Sequence, residues 1–127
     1  MKTLVVEDSE LFRLPLIRML RESGHEVCSV TNGEEAIMLL MCDEKFDVVV
    51  TDFRMPQMGG LELAVTIRKL YGNRIKVIGM SASDQCSELF LQSGADGYVD
   101  KPVEKEQLFG LLENLSEELT WQNTIAH

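Results

Sequence analysis

Long apolar runs are missing from this chain: nothing in its 127 residues approaches the roughly 18 consecutive apolar positions of a membrane span. Met1-Lys2 leads straight into TLVV, too short for a signal-peptide core and followed by no small-residue cleavage site, so a cytoplasmic chain is expected. Cysteine is sparse. Cys28, Cys42 and Cys86 are odd in number, lack a CxxC spacing and fall in apolar or periodic segments, so they read as buried or semi-buried thiols and not as a metal or redox centre. Basic residues are also few, 12 against 21 acidic ones, for a net charge of −9. A phosphate backbone needs a cationic face, so direct nucleic-acid binding is not expected. A GxGxxG loop is absent too, and the EDSE that follows the first strand-like run would repel a nucleotide or flavin phosphate unless a metal intervened.

What remains has the balance of one soluble globular domain, with 45% hydrophobic and 26% charged residues. Five short β-type runs alternate with helical patterns, without repeats or low-complexity linkers. The runs are TLVVE (3–7), EVCSV (26–30), DVVVT (47–51), KVIGM (76–80) and GYVD (97–100). The first and third are continuous apolar blocks, as in strands covered by helices on both faces.

The first helix is expected to be capped by Ser9, to bury Phe12, Leu16, Ile17 and Leu20, and to end at Gly24. Pro15 within it predicts a kink or a late start. A second helix over about 34–42 carries Ala36, Ile37, Leu40 and Met41, and a third over 61–70 carries Leu63, Ile67 and Leu70. Ser83 is a candidate cap for a fourth helix closed by Gly94. The fifth, from about Glu104, shows a stripe of Leu108, Leu111, Leu112, Leu115 and Leu119. Residues 1–120 read as one domain and 121–127 as a tail or the start of a linker, with Trp121 expected to pack on its own helix end.

Helix-length crossovers between strands make the strands parallel and the connections right-handed, giving an α/β, doubly wound, five-stranded sheet of flavodoxin-like order 2-1-3-4-5. Ligands of such sheets bind outside the carboxyl ends of the strands. Those ends carry Glu7-Asp8, Asp52, Ser81 and Lys101. Any one of these acids alone would pass for a turn residue; all the ends together form a constellation. Clustered carboxylates repel, and a hard cation such as Mg²⁺ resolves the conflict with oxygen ligands and retained waters. No His or Cys lies near these ends, so a zinc-type site is not indicated. A carboxylate beside Mg²⁺ and an ammonium can attack phosphorus, with a hydroxyl donating to a phosphate oxygen. Asp52, at the end of the central strand, is the expected nucleophile, with Lys101 and Ser81 as its partners. Two rivals stay open. A phosphatase with an aspartyl intermediate would want an acid two residues past the nucleophile, where this chain has Arg54. A scaffold working by binding alone, without phosphorylation, would keep the pocket but not use it.

LVVEDSE, VVVTDFRMPQMGGLEL, VIGMSAS and SGADGYVDKPV closely resemble the receiver domain of two-component response regulators, a CheY-like module, over about residues 2–119. The resemblance implies phosphorylation of Asp52 by a sensor histidine kinase or a histidine phosphotransfer protein, with no enzymatic activity beyond self-directed phosphoryl transfer and autodephosphorylation. It implies Mg²⁺, for which Mn²⁺ substitutes, held by Asp8, Asp52 and the backbone carbonyl of Arg54, with Glu7 contributing through water. Lys101 would pair with the phosphoryl group, Ser81 and Tyr98 would be the switch residues, and Lys101-Pro102 would be cis. Arg54 and Ser83 stand where the family tunes phosphoryl lifetime, and Pro15 disturbs a helix whose surface helps dock the kinase. Gly59 stands where Asp or Asn is usual. The output surface implied is the fourth helix, fifth strand and fifth helix, acting on an output protein or domain, the chain being a monomer or a weak dimer on phosphorylation. Exposed basic residues there are few, Lys105 being the clearest, and the residues after 119 leave no room for a helix-turn-helix. The start and tail of the chain fit a stand-alone regulator and the front of a longer protein equally.

Overall fold

A computed structural model describes residues 1–43, 45–82 and 86–125, with side chains up to residue 119. Its elements run β1 (Lys2–Val6), α1 (Glu10–Glu22), β2 (Glu26–Val30), α2 (Gly33–Cys42), β3 (Val48–Asp52), α3 (Gly60–Tyr71), β4 (Lys76–Ser81), α4 (Cys86–Gln92), β5 (Gly97–Asp100) and α5 (Lys105–Ile125). All strand pairs are parallel, and the sheet has the order β2-β1-β3-β4-β5. The expected fold class is the one observed.

Period-two alternation divides the strands between two apolar layers. Leu4, Val6, Val49 and Val77 pack against Ala36 and Leu40 of α2, Leu63, Ala64 and Ile67 of α3, and Phe90 of α4. Val5, Val48, Val50, Ile78 and Val99 face the other way, against Leu16, Ile17 and Leu20 of α1 and Leu108, Leu112 and Leu115 of α5. Both faces of the sheet are therefore dry, which is why β1 and β3 read as unbroken apolar blocks.

Several helix details differ from expectation. α1 begins right after Ser9 and runs unbroken through Pro15, so the late start does not occur. Pro15 and Leu11 lie on the exposed side of α1, where water can reach the Leu11 carbonyl that the proline leaves without its usual donor. Ser9 occupies the cap position in extended conformation, but its side chain makes no capping bond; Asn32 does cap α2, accepting from the Glu35 N–H at 2.9 Å. Phe12, Met41 and Leu70, assigned by spacing to buried stripes, are exposed. Cys42 is exposed as well, the last residue of α2, while Cys28 is half-buried and Cys86 buried. The cap role of Ser83 and the packing of Trp121 lie outside the described residues.

Two glycines set how closely the layers approach. A Cβ on Gly60, at the start of α3, would lie 2.1 Å from the Asp52 carbonyl oxygen; one on Gly79 of β4 would lie 2.4 to 2.6 Å from the Phe90 ring. Phe90 also meets Phe53 edge-on at 5.6 Å and Tyr98 at 6.1 Å between ring centroids. Among the described residues no helix is long and apolar enough to cross a membrane.

Candidate functional site

The sheet register brings the chemistry together. Val6 pairs with Thr51, so Glu7 leaves β1 beside Asp52, and Asp52 in turn pairs with Met80, one residue before Ser81. Backbone bonds carry the ladder past the strand ends: Glu7 N–H donates to the Val30 carbonyl at 3.2 Å, Phe53 to Met80 at 3.0 Å and Lys101 to Ser81 at 2.9 Å. Arg13 of α1 donates to the Glu7 carbonyl at 3.2 Å. The loop from β3 is closed by Gly60 N–H to the Phe53 carbonyl at 2.9 Å, and Gln57 within it takes a left-handed φ of 69°.

Above the strand ends lies a cleft of about 420 Å³ lined by Phe12, Asp52, Phe53, Arg54, Ser81, Ala82, Cys86, Leu89 and Lys101. At its floor the Lys101 ammonium is paired with two carboxylates, Glu7 and, at 2.7 Å, Asp52. All three are nearly dry, Glu7 at 0% exposure and Asp52 at 8%; the Lys101 side chain is 8% exposed. Asp8 stands outside, exposed to solvent. Burial pushes the Glu7 carboxyl above its ordinary range, and the Asp52 charge adds to that, against the opposing pull of Lys101. Burial alone would lower the Lys101 pKa; hydrogen bonds to Asp52 and Glu7 outweigh it and hold the ammonium above its usual value.

Carboxylate oxygens of Glu7, Asp8 and Asp52 lie within 4.8 Å of one another. Three acids thus face one ammonium, and Glu7 Oε2 is buried without a hydrogen-bond partner among the described residues. An all-oxygen donor set with surplus negative charge fits a hard divalent cation of the Mg²⁺ kind, which keeps its own waters and needs only one or two protein carboxylates.

Tyr98 reaches the site through the backbone, its hydroxyl donating to the Ser81 carbonyl at 3.2 Å. The Lys101-Pro102 peptide is cis. Arg54 lines the cleft, with its guanidinium 5.8 Å from the Phe53 ring centroid. Sequence reasoning missed five lining residues: Phe12, Phe53, Ala82, Cys86 and Leu89. Phe53 and Ala82 were discoverable as the neighbours of Asp52 and Ser81, whereas the other three depend on how helices tilt over the sheet.

An acid triad and a lysine at the switch point of a doubly wound sheet form a site whose chemistry suits phosphate and a hard cation. The model of the response regulator receiver domain matches residues 3–113, and the chain belongs to that family. It is 38% identical over 101 residues to two-component response regulator ORR42 of Oryza sativa subsp. japonica, covering 80% of this chain and 76% of that protein. Sensory/regulatory protein RpfC of Xanthomonas campestris pv. campestris is 31% identical over 121 residues, 91% of this chain but 16% of that protein. The solved structure of chemotaxis response regulator CheY4 of Vibrio cholerae superposes with a TM-score of 0.80 at 27% identity, covering 90% of this chain and 97% of that one. The chain is therefore a receiver domain of two-component signalling, a family in which phosphorylation on Asp is general and which is not an enzyme in the usual sense. Receiver domains interact with histidine kinases and output domains, and they generally bind Mg²⁺.

Proposed function

We propose that Asp52 is the phosphoacceptor and that its donor is the phosphohistidine of a sensor kinase or phosphotransfer protein. One observation carries this: Asp52, at the end of the central strand, lines the cleft with its carboxylate 2.7 Å from the Lys101 ammonium, whereas Glu7, paired with the same lysine, is fully buried. A carboxylate oxygen of Asp52 attacks phosphorus, the P–N bond breaks, and the imidazole leaves with the electron pair and takes up a proton. The Lys101 ammonium, released from Asp52, pairs with a phosphoryl oxygen. The Ser81 hydroxyl, 6% exposed on the cleft wall, donates to another.

Asp8, Asp52 and the Arg54 carbonyl would hold Mg²⁺, with Mn²⁺ as substitute and Glu7 reaching it through water. A cation held there would supply positive charge to offset that of the transferring group. Asp8 suits a ligand that retains waters because it is exposed, and Glu7 suits the outer role because it is already engaged by Lys101.

Leu11 and Leu14 of α1 are exposed, Leu11 sharing an apolar hollow with Phe12, and give the donor an apolar face to rest on. The signal leaves by Ser81 and Tyr98: drawing the serine toward a phosphoryl group disturbs the carbonyl that the Tyr98 hydroxyl holds, and so the α4, β5 and α5 surface that meets the output protein.

Acetyl phosphate with Mg²⁺ tests the reading. Intact mass should rise by one phosphoryl group in the wild-type protein and stay unchanged in Asp52→Asn. A wild-type mass that never rises sinks it.

A further inference from the structure

Phe12 belongs by spacing to the apolar stripe of α1, yet it is 38% exposed where Leu16, Ile17 and Leu20 are buried. Its ring covers Lys101 instead, with the ammonium nitrogen 4.4 Å from the ring centroid. The same side chain lines both the acidic cleft and a smaller apolar cavity of about 170 Å³ shared by α1 and Lys101, Pro102 and Val103. Phe12 is thus the wall between them.

An ammonium has three N–H bonds to place. Glu7 and Asp52 take two, and the ring is the third partner. Attraction between an ammonium and the face of an aromatic ring grows as water is removed, and this lysine is 8% exposed. The partners differ in what phosphorylation does to them. Conversion of Asp52 to an acyl phosphate removes the carboxylate that Lys101 now touches, and any cation beside Glu7 competes for the other. The ring's quadrupole is unchanged by either event, and its pull tolerates rotation of the ammonium as N–H donors change acceptors.

We propose that Phe12 is a positioning residue for phosphoryl transfer: its ring face keeps the Lys101 ammonium at the cleft wall while Asp52 changes from carboxylate to acyl phosphate. This rests on Asp52 being the acceptor. Leucine at position 12 keeps apolar bulk and loses the π face; tyrosine keeps both.

The test compares wild type, Phe12→Leu and Phe12→Tyr as full chains, by the rate of acetyl phosphate labelling and the rate of phosphoryl loss, after thermal midpoints show that all three fold. Phe12→Leu should slow both rates by about fivefold to tenfold, the worth of a cation–π contact to a desolvated ammonium, with Phe12→Tyr within about twofold of wild type. In the unphosphorylated proteins the Lys101 ε-methylene proton resonances should be ring-shifted upfield in wild type and Phe12→Tyr, and not in Phe12→Leu. Equal rates in all three proteins overturn the proposal, as does a Phe12→Tyr protein as slow as Phe12→Leu. Faster phosphoryl loss in Phe12→Leu would make the ring a plug against water and overturn it too. Absence of labelling in the wild type would sink the phosphoacceptor reading, while the resonance shifts would still show whether the ring holds the ammonium.

Discussion

One chemical change, glycine to alanine, should have opposite effects at Gly60 and Gly110. At Gly60 the added methyl carbon would stand 2.1 Å from the Asp52 carbonyl oxygen and 3.0 Å from the tip of the Phe90 ring. The obstacle is backbone in a central strand, so it cannot rotate away; α3 or the end of β3 has to move by about an ångström. Overpacking of this kind costs about 2 to 3 kcal/mol. At Gly110, within the exposed side of α5, a Cβ meets nothing within 4 Å. There, alanine should stabilise by about 0.5 to 1 kcal/mol, by removing the entropy cost of a helical glycine. For a domain of this size each kcal/mol moves the melting midpoint by roughly 3 to 6 °C. Far-UV circular dichroism melts should therefore place Gly60→Ala about 6 to 18 °C below wild type and Gly110→Ala about 1.5 to 6 °C above it. The site supplies a second readout. If β3 yields, the Asp52 carboxylate is displaced, and a shift near 1 Å can cost about a hundredfold in rate, visible in acetyl phosphate labelling. A Gly60→Ala protein that melts with the wild type would refute the packing argument. One that melts low but labels normally would show that α3 moves and the strand does not.

Two further outcomes follow from charge. Lys101→Met strands two nearly dry carboxylates and should cost about 3 kcal/mol in urea unfolding, of which adding Glu7→Gln should return a substantial part; equal stability of the single and double variants would contradict the Glu7–Lys101 pairing. His25 is held below its ordinary value of 6.5 by burial, and then by the neighbouring Met1 ammonium. Its unfolded form therefore takes up a proton first as pH falls, so its contribution is fully present above about 6.5 and is lost on acidification through the lower folded value. His25→Gln should flatten stability against pH in that window, and an unchanged slope would count against it.

The fold was legible because short β-branched blocks such as DVVVT, alternating with helix-length segments, fit strands covered on both sides, and the doubly wound rule then sent Glu7, Asp8, Asp52, Ser81 and Lys101 to one rim. The pairing of Lys101 with Glu7 was not legible. It joins residues 94 positions apart, and spacing does not say which of several acids an ammonium will choose. Helical periodicity also marks stripes wider than the faces they bury, so Phe12, Met41 and Leu70 were placed inside when they lie at the edges. Pro15 misled for a different reason: its cost depends on whether water reaches the orphaned carbonyl, a property of the helix's orientation.

Phe90 occupies a socket made by what is missing. Gly79 and Gly60 have no side chains where the ring lies, Phe53 and Tyr98 meet it with their own rings, and it belongs to the apolar layer that α2 and α3 share. A ring seated this closely cannot slide by small degrees without either colliding with backbone or opening a void, and packed interiors tolerate neither. Taken with the proposal that loading Asp52 shifts this surface, the socket predicts that α4 should act as a two-position latch, not a spring: a partner reading its outer surface should meet one of two shapes, and intermediate loads on Asp52 should change how often each is seen and not how far the helix has moved.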